Sequence, residues 1–408
     1  MTPGTAQALL YNDIVPVAAV QSEHDQLRRV LALVAETIEV EDVLTEIAAD
    51  PEGRAGLVER LLGRGHPAAE SLLERWNTLT PMEVVRECVL GISRSPRRLK
   101  DLEPGATMLT PPLPNLYFTR DGGFVAGSRV FRSAMASPVR SAESGITDAV
   151  CAHLGMRVNR SVADFARRED SEPDSARLGD PAAVKLEGGD VLMLDPDCVL
   201  VGRGERSSIP AIDYVLEELT RSRNRPLTAL VVDLPARRAT IHLDMIATVI
   251  DRGLLLGYEP LVAGPSAAAV TRASIYPGRE EWSMTRHASL MEALAAAGRP
   301  HELVSCGGSN PVTREREQWF SACNSVALAP GRVVVYRNNP ATLEALSGSG
   351  FDILTASEAE RDPERLTSHG GRVAVAVDGV ELARGGGGPR CMTMPLERDP
   401  LPEQQGDG

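Results

Sequence analysis

The chain has 408 residues, 43% of them hydrophobic, enough to fill one large core or two ordinary ones. Aromatics are only 4%, so the interior must rest on Leu, Val, Ile and Ala, as it does in α/β folds built from aliphatic strands. Lys+Arg 43 against Asp+Glu 56 give a formal charge of -13, which excludes the basic excess a nucleic-acid binder needs for counterion release and suits a small cationic substrate.

The first residues, MTPGTAQALLYNDIVPVAAV, lack the basic start and apolar run of a signal peptide, and no segment approaches the twenty apolar residues of a membrane span. The expected location is cytoplasmic, with no membrane partner. From about Val40 to Ser93 apolar residues such as Leu57, Val58, Leu61 and Leu62 recur at helical spacing, and Pro67 and Pro81 stand where helices could start, so 40–93 reads as a helical insertion. Beyond it strand and helix alternate: strands at Cys198 to Gly202, Ala229 to Val232 and Arg332 to Tyr336, helices at Ile209 to Arg221 and Ser289 to Ala297, the pattern of repeated strand-helix units. Segments 161–180 and 358–378 are charged and poor in large apolar residues, hence expected as surface insertions, the second carrying a short hairpin. Six cysteines, at 88, 151, 198, 306, 323 and 391, form no CxxC pair and read as reduced thiols.

Three polar clusters place charge where the surroundings look buried. In PNLYFTRDGG, Arg120 and Asp121 follow an aromatic run; in KLEGGDVLML, Glu187 and Asp190 bracket a glycine pair; in ATIHLDMIATVID, His242 and Asp244 stand two apart, on one side of an expected strand. Such charges are expensive to bury unless paired. Taken singly each has a structural explanation: Asp121 pairing with Arg120, Glu187 and Asp190 capping a turn, His242 as a satisfied core histidine. A metal pair at HxD is weakly favoured, because one histidine among carboxylates makes poor transition-metal geometry. Taken together, one cysteine, one histidine and several acids suggest a thiol nucleophile with an imidazole acid/base and acids holding a cation. Cys391 follows GGGGPR, where glycines let a loop close tightly, Pro389 stiffens the approach and Arg390 is placed to favour a thiolate.

These residues resemble the arginine deiminase family: PNLYFTRD, LEGGDVLML, GRGERS, IHLD, REQW with CNSVALAPGRVVVY, and GGPRCM recur in that family's order, over nearly the whole chain. The resemblance implies a five-fold pseudo-symmetric α/β propeller of ββαβ modules carrying the helical insertion, one catalytic domain over 1–408, and no metal or organic cofactor. It implies Cys391 as nucleophile on the guanidinium carbon, Asp121 and Asp244 clamping the guanidinium nitrogens, and His242 as acid/base oriented by Glu187. Asn115, Phe118, Arg140 (in MASPVRSAE) and Arg206 (in GRGERS) would bind substrate, the two arginines through its α-carboxylate, while Asp190 would either contact substrate or support the EGGD turn. A planar cation with several N–H donors is well held by two carboxylates.

Departures from the family pattern are Gly386 where an arginine is usual, Met245 where threonine follows HLD, and Met394 where a second cysteine is common. The chain also begins inside what corresponds to the first module, without its usual opening strand, leaving that module incomplete at the N-terminus or started upstream. The expected activity is hydrolysis of L-arginine to citrulline and ammonia. Amidino transfer, a different guanidino substrate, or a non-catalytic arginine-binding relative are the alternatives, and a homo-oligomer is compatible with the sequence.

Overall fold

The computed structural model describes residues 4–96, 98–99, 108–159, 162, 184–221, 223–367 and 370–400. The chain enters through a run of turns over residues 4–10, and no strand precedes the first helix among the described residues. That helix, α1 (Val17–Ala32), packs its Leu27 and Val30 against the last sheet of the chain.

Four helices follow, α2 (Val40–Ala49), α3 (Pro51–Leu62), α4 (Ala69–Trp76) and α5 (Pro81–Leu90). Their starts are written locally. Asp50 accepts the N–H of Gly53 ahead of Pro51, and Thr80 with Glu83 forms a capping box ahead of Pro81, each satisfying donors that a helix start otherwise leaves orphaned. Leu44, Leu57, Leu72, Trp76 and Val84 meet in one cluster that extends to Ile146 of helix Ser141–His153. The helical region is thereby anchored on the rest of the molecule.

Beyond it the described strands form a mixed α/β arrangement in which one unit recurs: an antiparallel hairpin, a helix, then a strand parallel to the hairpin's second strand. Strands β1 (Ile92–Ser93) and β2 (Met108–Thr110) pair alone. β3 (Gly123–Ala126) and β4 (Arg129–Arg132) precede helix Ser141–His153, after which Val158 bridges Val130 in parallel. β5 (Val191–Asp195) and β6 (Cys198–Arg203) precede helix Ile209–Arg221 and the parallel β7 (Leu227–Asp233). β8 (Ala247–Asp251) and β9 (Leu254–Gly257) are completed by β12 (Glu302–Ser305). β10 (Val270–Ile275) and β11 (Ser283–His287) extend the β5–β7 sheet instead. Finally β13 (Val326–Ala329) and β14 (Arg332–Tyr336) join β15 (Phe351–Thr355) and β16 (Arg372–Val377) in the order β13-β14-β16-β15. The aliphatic strands predicted around residues 198, 229 and 332 and both predicted helices form where periodicity puts them.

The expectation for the second charged segment fails. Residues 358–378 are not a surface insertion with a hairpin: they supply two short helices and then β16, a strand parallel to neighbours on both sides and buried from Val373 to Val377. RVAVAV is too small and too flanked by charge to look like a core strand, yet a strand covered on both faces needs only aliphatic bulk. The charged stretch 161–180 lies outside the described residues apart from Val162, which is buried. Among the described residues no helix is long and apolar enough to cross a membrane.

Candidate active site

Three acids sit on single helical turns that close just before a strand. Asp121 lies in Thr119–Gly122 before β3, Asp190 in Gly188–Asp190 before β5, and Asp244 in Leu243–Met245 before β8. The expected strand through IHLD is therefore absent. The N–H of Leu243 donates to Asp190 Oδ1 at 2.9 Å and that of Met245 to the carbonyl of His242 at 3.2 Å, so these donors are used locally and not by a neighbouring strand. His242 precedes the turn in extended backbone. The glycine pair of EGGD has a packing reason: a Cβ on Gly189 would stand 2.8 Å from His242 Cγ and Nδ1, so only a bare backbone lets that turn pass the imidazole.

All ten residues singled out from the sequence are buried, none more than 8% exposed. Asn115, Phe118, Asp121, Arg140, Arg206, His242 and Cys391 line one narrow cavity of about 20 Å³, closed on one side by Gly385, Gly386 and Gly387. Glu187, Asp190 and Asp244 stand behind its wall. Cys391 Sγ is 3.9 Å from Asp244 Oδ2, His242 Nε2 is 2.8 Å from Glu187 Oε2, and His242 Nδ1 is 3.6 Å from Asp121 Oδ1. Of the two roles open to Asp190, the hydrogen bonds fit support of the turn: its carboxylate accepts from Ser207 Oγ at 2.6 Å and from Leu243 N–H.

Arginines already stand on the acids. Arg140 Nη1 donates to Asp121 Oδ2 at 2.6 Å and its Nε to Glu143 Oε2 at 2.6 Å, while Arg390 Nη1 donates to Asp244 Oδ2 at 2.8 Å. Arg206 reaches Glu187 at 3.3 Å. Asp121 does not pair with Arg120, which turns toward the cysteine loop and donates to the carbonyl of Arg390 at 3.4 Å. Despite these bonds, Asp121 Oδ1 and Asp244 Oδ1 are buried without any hydrogen-bond partner. Two orphaned carboxylate oxygens flanking a thiol and an imidazole are acceptors for a ligand with several N–H donors.

Electrostatics follow from burial and from these acids. Burial pushes the Cys391 thiol well up, Asp244 and Asp121 push it further, and Arg390 only weakly opposes them. Arg390 does favour the thiolate, as its place in the sequence suggests, but its guanidinium faces Asp244 and its effect is outweighed by burial and the two acids. Burial pulls His242 down, but the charge of Asp121 and the hydrogen bond to Glu187 outweigh it and raise the imidazole to about 9, leaving it a cation at neutral pH. Burial raises Asp190 to about 7 and lifts Asp244 as well. Asp121, Glu187 and His242 offer ligand atoms within 4.8 Å of one another, a cluster with the donors for a metal, although His242 Nε2 and Glu187 already bind each other.

Several contributors went unassigned in the sequence. Asn324, in CNSVALAPG, accepts the N–H of Cys391 at 3.0 Å and donates to the carbonyl of Asp244 at 3.3 Å, tying the cysteine loop to the turn of Asp244. Glu143 holds both Arg140 and the N–H of Asn115. Leu10, Arg238 and Ile241 line the cavity. The CNSV motif was a signal for Asn324; nothing local marks Leu10 or Arg238.

The family model for arginine deiminase matches residues 7–398. An arginine deiminase of Mycobacterium avium is 32% identical over 422 residues, covering 98% of this chain and 93% of that protein. One of Bacillus cytotoxicus is 29% identical over 417 residues, covering 98% of this chain and 92% of that protein. The crystal structure of unliganded AgrE aligns with a TM-score of 0.44 at 19% identity, covering 70% of this chain and 31% of that one. The chain belongs to the arginine deiminase family, hydrolases that act on C–N bonds of linear amidines.

Proposed function

We propose that this site hydrolyses the guanidinium group of free L-arginine to citrulline and ammonia through a covalent intermediate on Cys391. The observation that carries the reading is the pair of unpartnered buried oxygens, Asp121 Oδ1 and Asp244 Oδ1, beside the sulfur and the imidazole. A guanidinium bound there satisfies both acceptors, neutralises the two charges that add to burial in holding the thiol protonated, and sets its own positive charge beside the sulfur, so the thiolate forms when substrate arrives and its proton leaves to solvent. Arg140 must then give up Asp121, keeping Glu143 and gaining the substrate carboxylate.

The thiolate adds to the guanidinium carbon. His242, cationic against Glu187, protonates one amino group, the C–N bond breaks and ammonia departs, leaving a thiouronium on sulfur and a neutral imidazole. That imidazole takes a proton from water as its oxygen adds to the same carbon; the C–S bond then breaks, sulfur leaves as thiolate, and loss of a proton leaves the ureido product. Preorganised acids supply most of the benefit, because they need no reorganisation as charge shifts. Arg206 and Asn115 complete the grip on the amino-acid end, and Asp190 supports the turn carrying Asp244.

The recurring hairpin-helix-strand units support the finer reading of the fold as a five-module α/β propeller in one catalytic domain, with 40–93 inserted, and an acid on the turn that opens a hairpin in three units is what convergence on a common channel requires. Incubation of the protein with L-arginine should yield citrulline and ammonia in equal amounts, and the Cys391→Ser variant should bind arginine without turnover. Ornithine with an amidinated acceptor as products, or full turnover by that variant, would overturn the mechanism.

A further inference from the structure

Arg120 stands behind the thiol, outside the lining of the cavity, and is only 5% exposed. It makes no ion pair among the described residues: its Nε donates to the carbonyl of Arg390 at 3.4 Å and its Nη2 to Thr393 Oγ1 at 3.5 Å. Both acceptors are neutral and both contacts are long, so the charge itself is unanswered. A buried cation without an acid is held only at a cost. Burial, Arg390 and Arg398 lower its proton affinity, while Asp244 and Cys391 raise it.

The backbone shows what this cation is attached to. The N–H of Arg120 donates to the carbonyl of Cys391 at 3.1 Å, so one residue grips positions 390, 391 and 393 of the cysteine loop. It does so from Thr119–Gly122, the same turn that carries Asp121. That turn is wedged from the other side: a Cβ on Gly188 would stand 2.1 Å from the carbonyl oxygen of Arg120, so the EGGD turn packs directly on this backbone and keeps it from drifting. The sulfur and one of the orphaned acids are thereby fixed to each other through Arg120. Of the charges around Cys391, Asp244 and Asp121 hold the thiol up, and Arg390 is committed to Asp244. Once a guanidinium takes the two acids, the anion left to answer Arg120 is the thiolate.

We propose that Arg120 is a positioning residue for Cys391, which fixes the sulfur against Asp121 through its contacts on the cysteine loop and supplies the buried positive charge that the thiolate answers when substrate is bound. The inference rests on Cys391 being the nucleophile and deepens that reading. The neutral acceptors that Arg120 touches need no charge from it; an anion that forms beside them during turnover does.

Arg120→Met keeps the volume and removes the charge with both side-chain donors, whereas Arg120→Gln keeps a donor without the charge and Arg120→Lys keeps the charge. Because an apolar side chain replaces an unpaired buried cation, Tm of Arg120→Met should stay within about 2 °C of native or rise. Its kcat for citrulline formation should fall about 30-fold with KM changed less than about three-fold, the signature of a group that acts in the chemical step. Alkylation of Cys391 by iodoacetamide in the free protein, followed by mass spectrometry of the Cys391 peptide at about pH 8, should slow at least three-fold in Met and Gln. That figure is about a ten-fold smaller thiolate fraction, offset in part by the greater nucleophilicity of a more basic thiolate. Arg120→Lys should recover most of the alkylation rate and part of kcat. A lowered Tm with native kcat and native alkylation in Arg120→Met would make the residue structural and overturn the proposal. If the Met variant does not fold, Gln against Lys decides: Lys faster in both assays upholds the charge, and equal rates overturn it. In a protein that forms no citrulline, slower alkylation in Gln with recovery in Lys would uphold the role of Arg120 toward the sulfur and sink the hydrolytic reading alone.

Discussion

Gly189→Ala adds a single methyl group at the point where the Gly188–Asp190 turn passes the imidazole. The new Cβ would lie 2.8 Å from His242 Cγ and Nδ1 and 3.0 Å from Asp121 Oδ1, about 0.6 Å inside ordinary van der Waals contact. The ring has little room to retreat, since Nε2 is held by Glu187 at 2.8 Å and Glu187 is itself held by the N–H of Ala136 at 2.9 Å. Overpacking of this kind costs about 1–3 kcal/mol. Displacement approaching 1 Å at a catalytic group costs up to ~100-fold in rate. Expected, therefore, is a Tm lower by a few degrees and a kcat for citrulline formation down about 30- to 100-fold, measured by calorimetry and by a ureido assay on the same preparation. Gly348→Ala, whose Cβ would meet nothing within 4 Å, should leave both unchanged. A kcat within about three-fold of native in Gly189→Ala would refute the claim that the position of His242 limits the chemistry.

Two further outcomes follow from the charges and bonds at the site. His242 is raised from 6.5 to about 9, so the imidazolium and its ion-pair stability are fully present below pH 6.5 and are lost as pH rises through about 9. The basic limb of kcat/KM should fall near that value and move toward neutrality in Glu187→Gln, which removes the charge but keeps the volume; an unmoved limb would assign it to another group. Asn324→Ala leaves a buried N–H and a buried carbonyl without partners, worth about 1–3 kcal/mol, and frees the cysteine loop; Tm should drop by several degrees and kcat at least ten-fold, and a native-like kcat would show that the loop holds Cys391 without it.

Much of the site was legible because the motifs combine two incompatible demands. Charged residues inside aliphatic runs, as at LEGGD and IHLD, are costly unless something distant pairs with them, so they point to convergence even before the partners are known. Periodicity located Ile209–Arg221 and Arg332–Tyr336 for the same local reason: side-chain spacing along one element reports which face is covered. Misreadings arose where the answer lay in another part of the chain. IHLD alternates as a strand does, whereas the Asp190 carboxylate that claims the Leu243 N–H is 53 residues away. RVAVAV has the charged sequence neighbours of a surface segment, although its neighbours in space are β14 and β15.

From the amino acids alone came the family, the identities of thiol, imidazole and acids, and the helical and strand segments that carry them. Tertiary structure alone decided which charge answers which: Arg140 on Asp121, Arg390 on Asp244 across 146 residues, and Arg238 on the carbonyl of Leu10 across 228. Local periodicity carries no record of such pairings, because an ion pair depends on separation in space and on how much water is excluded around it, and both are set only when the packed elements bring distant turns to one cavity.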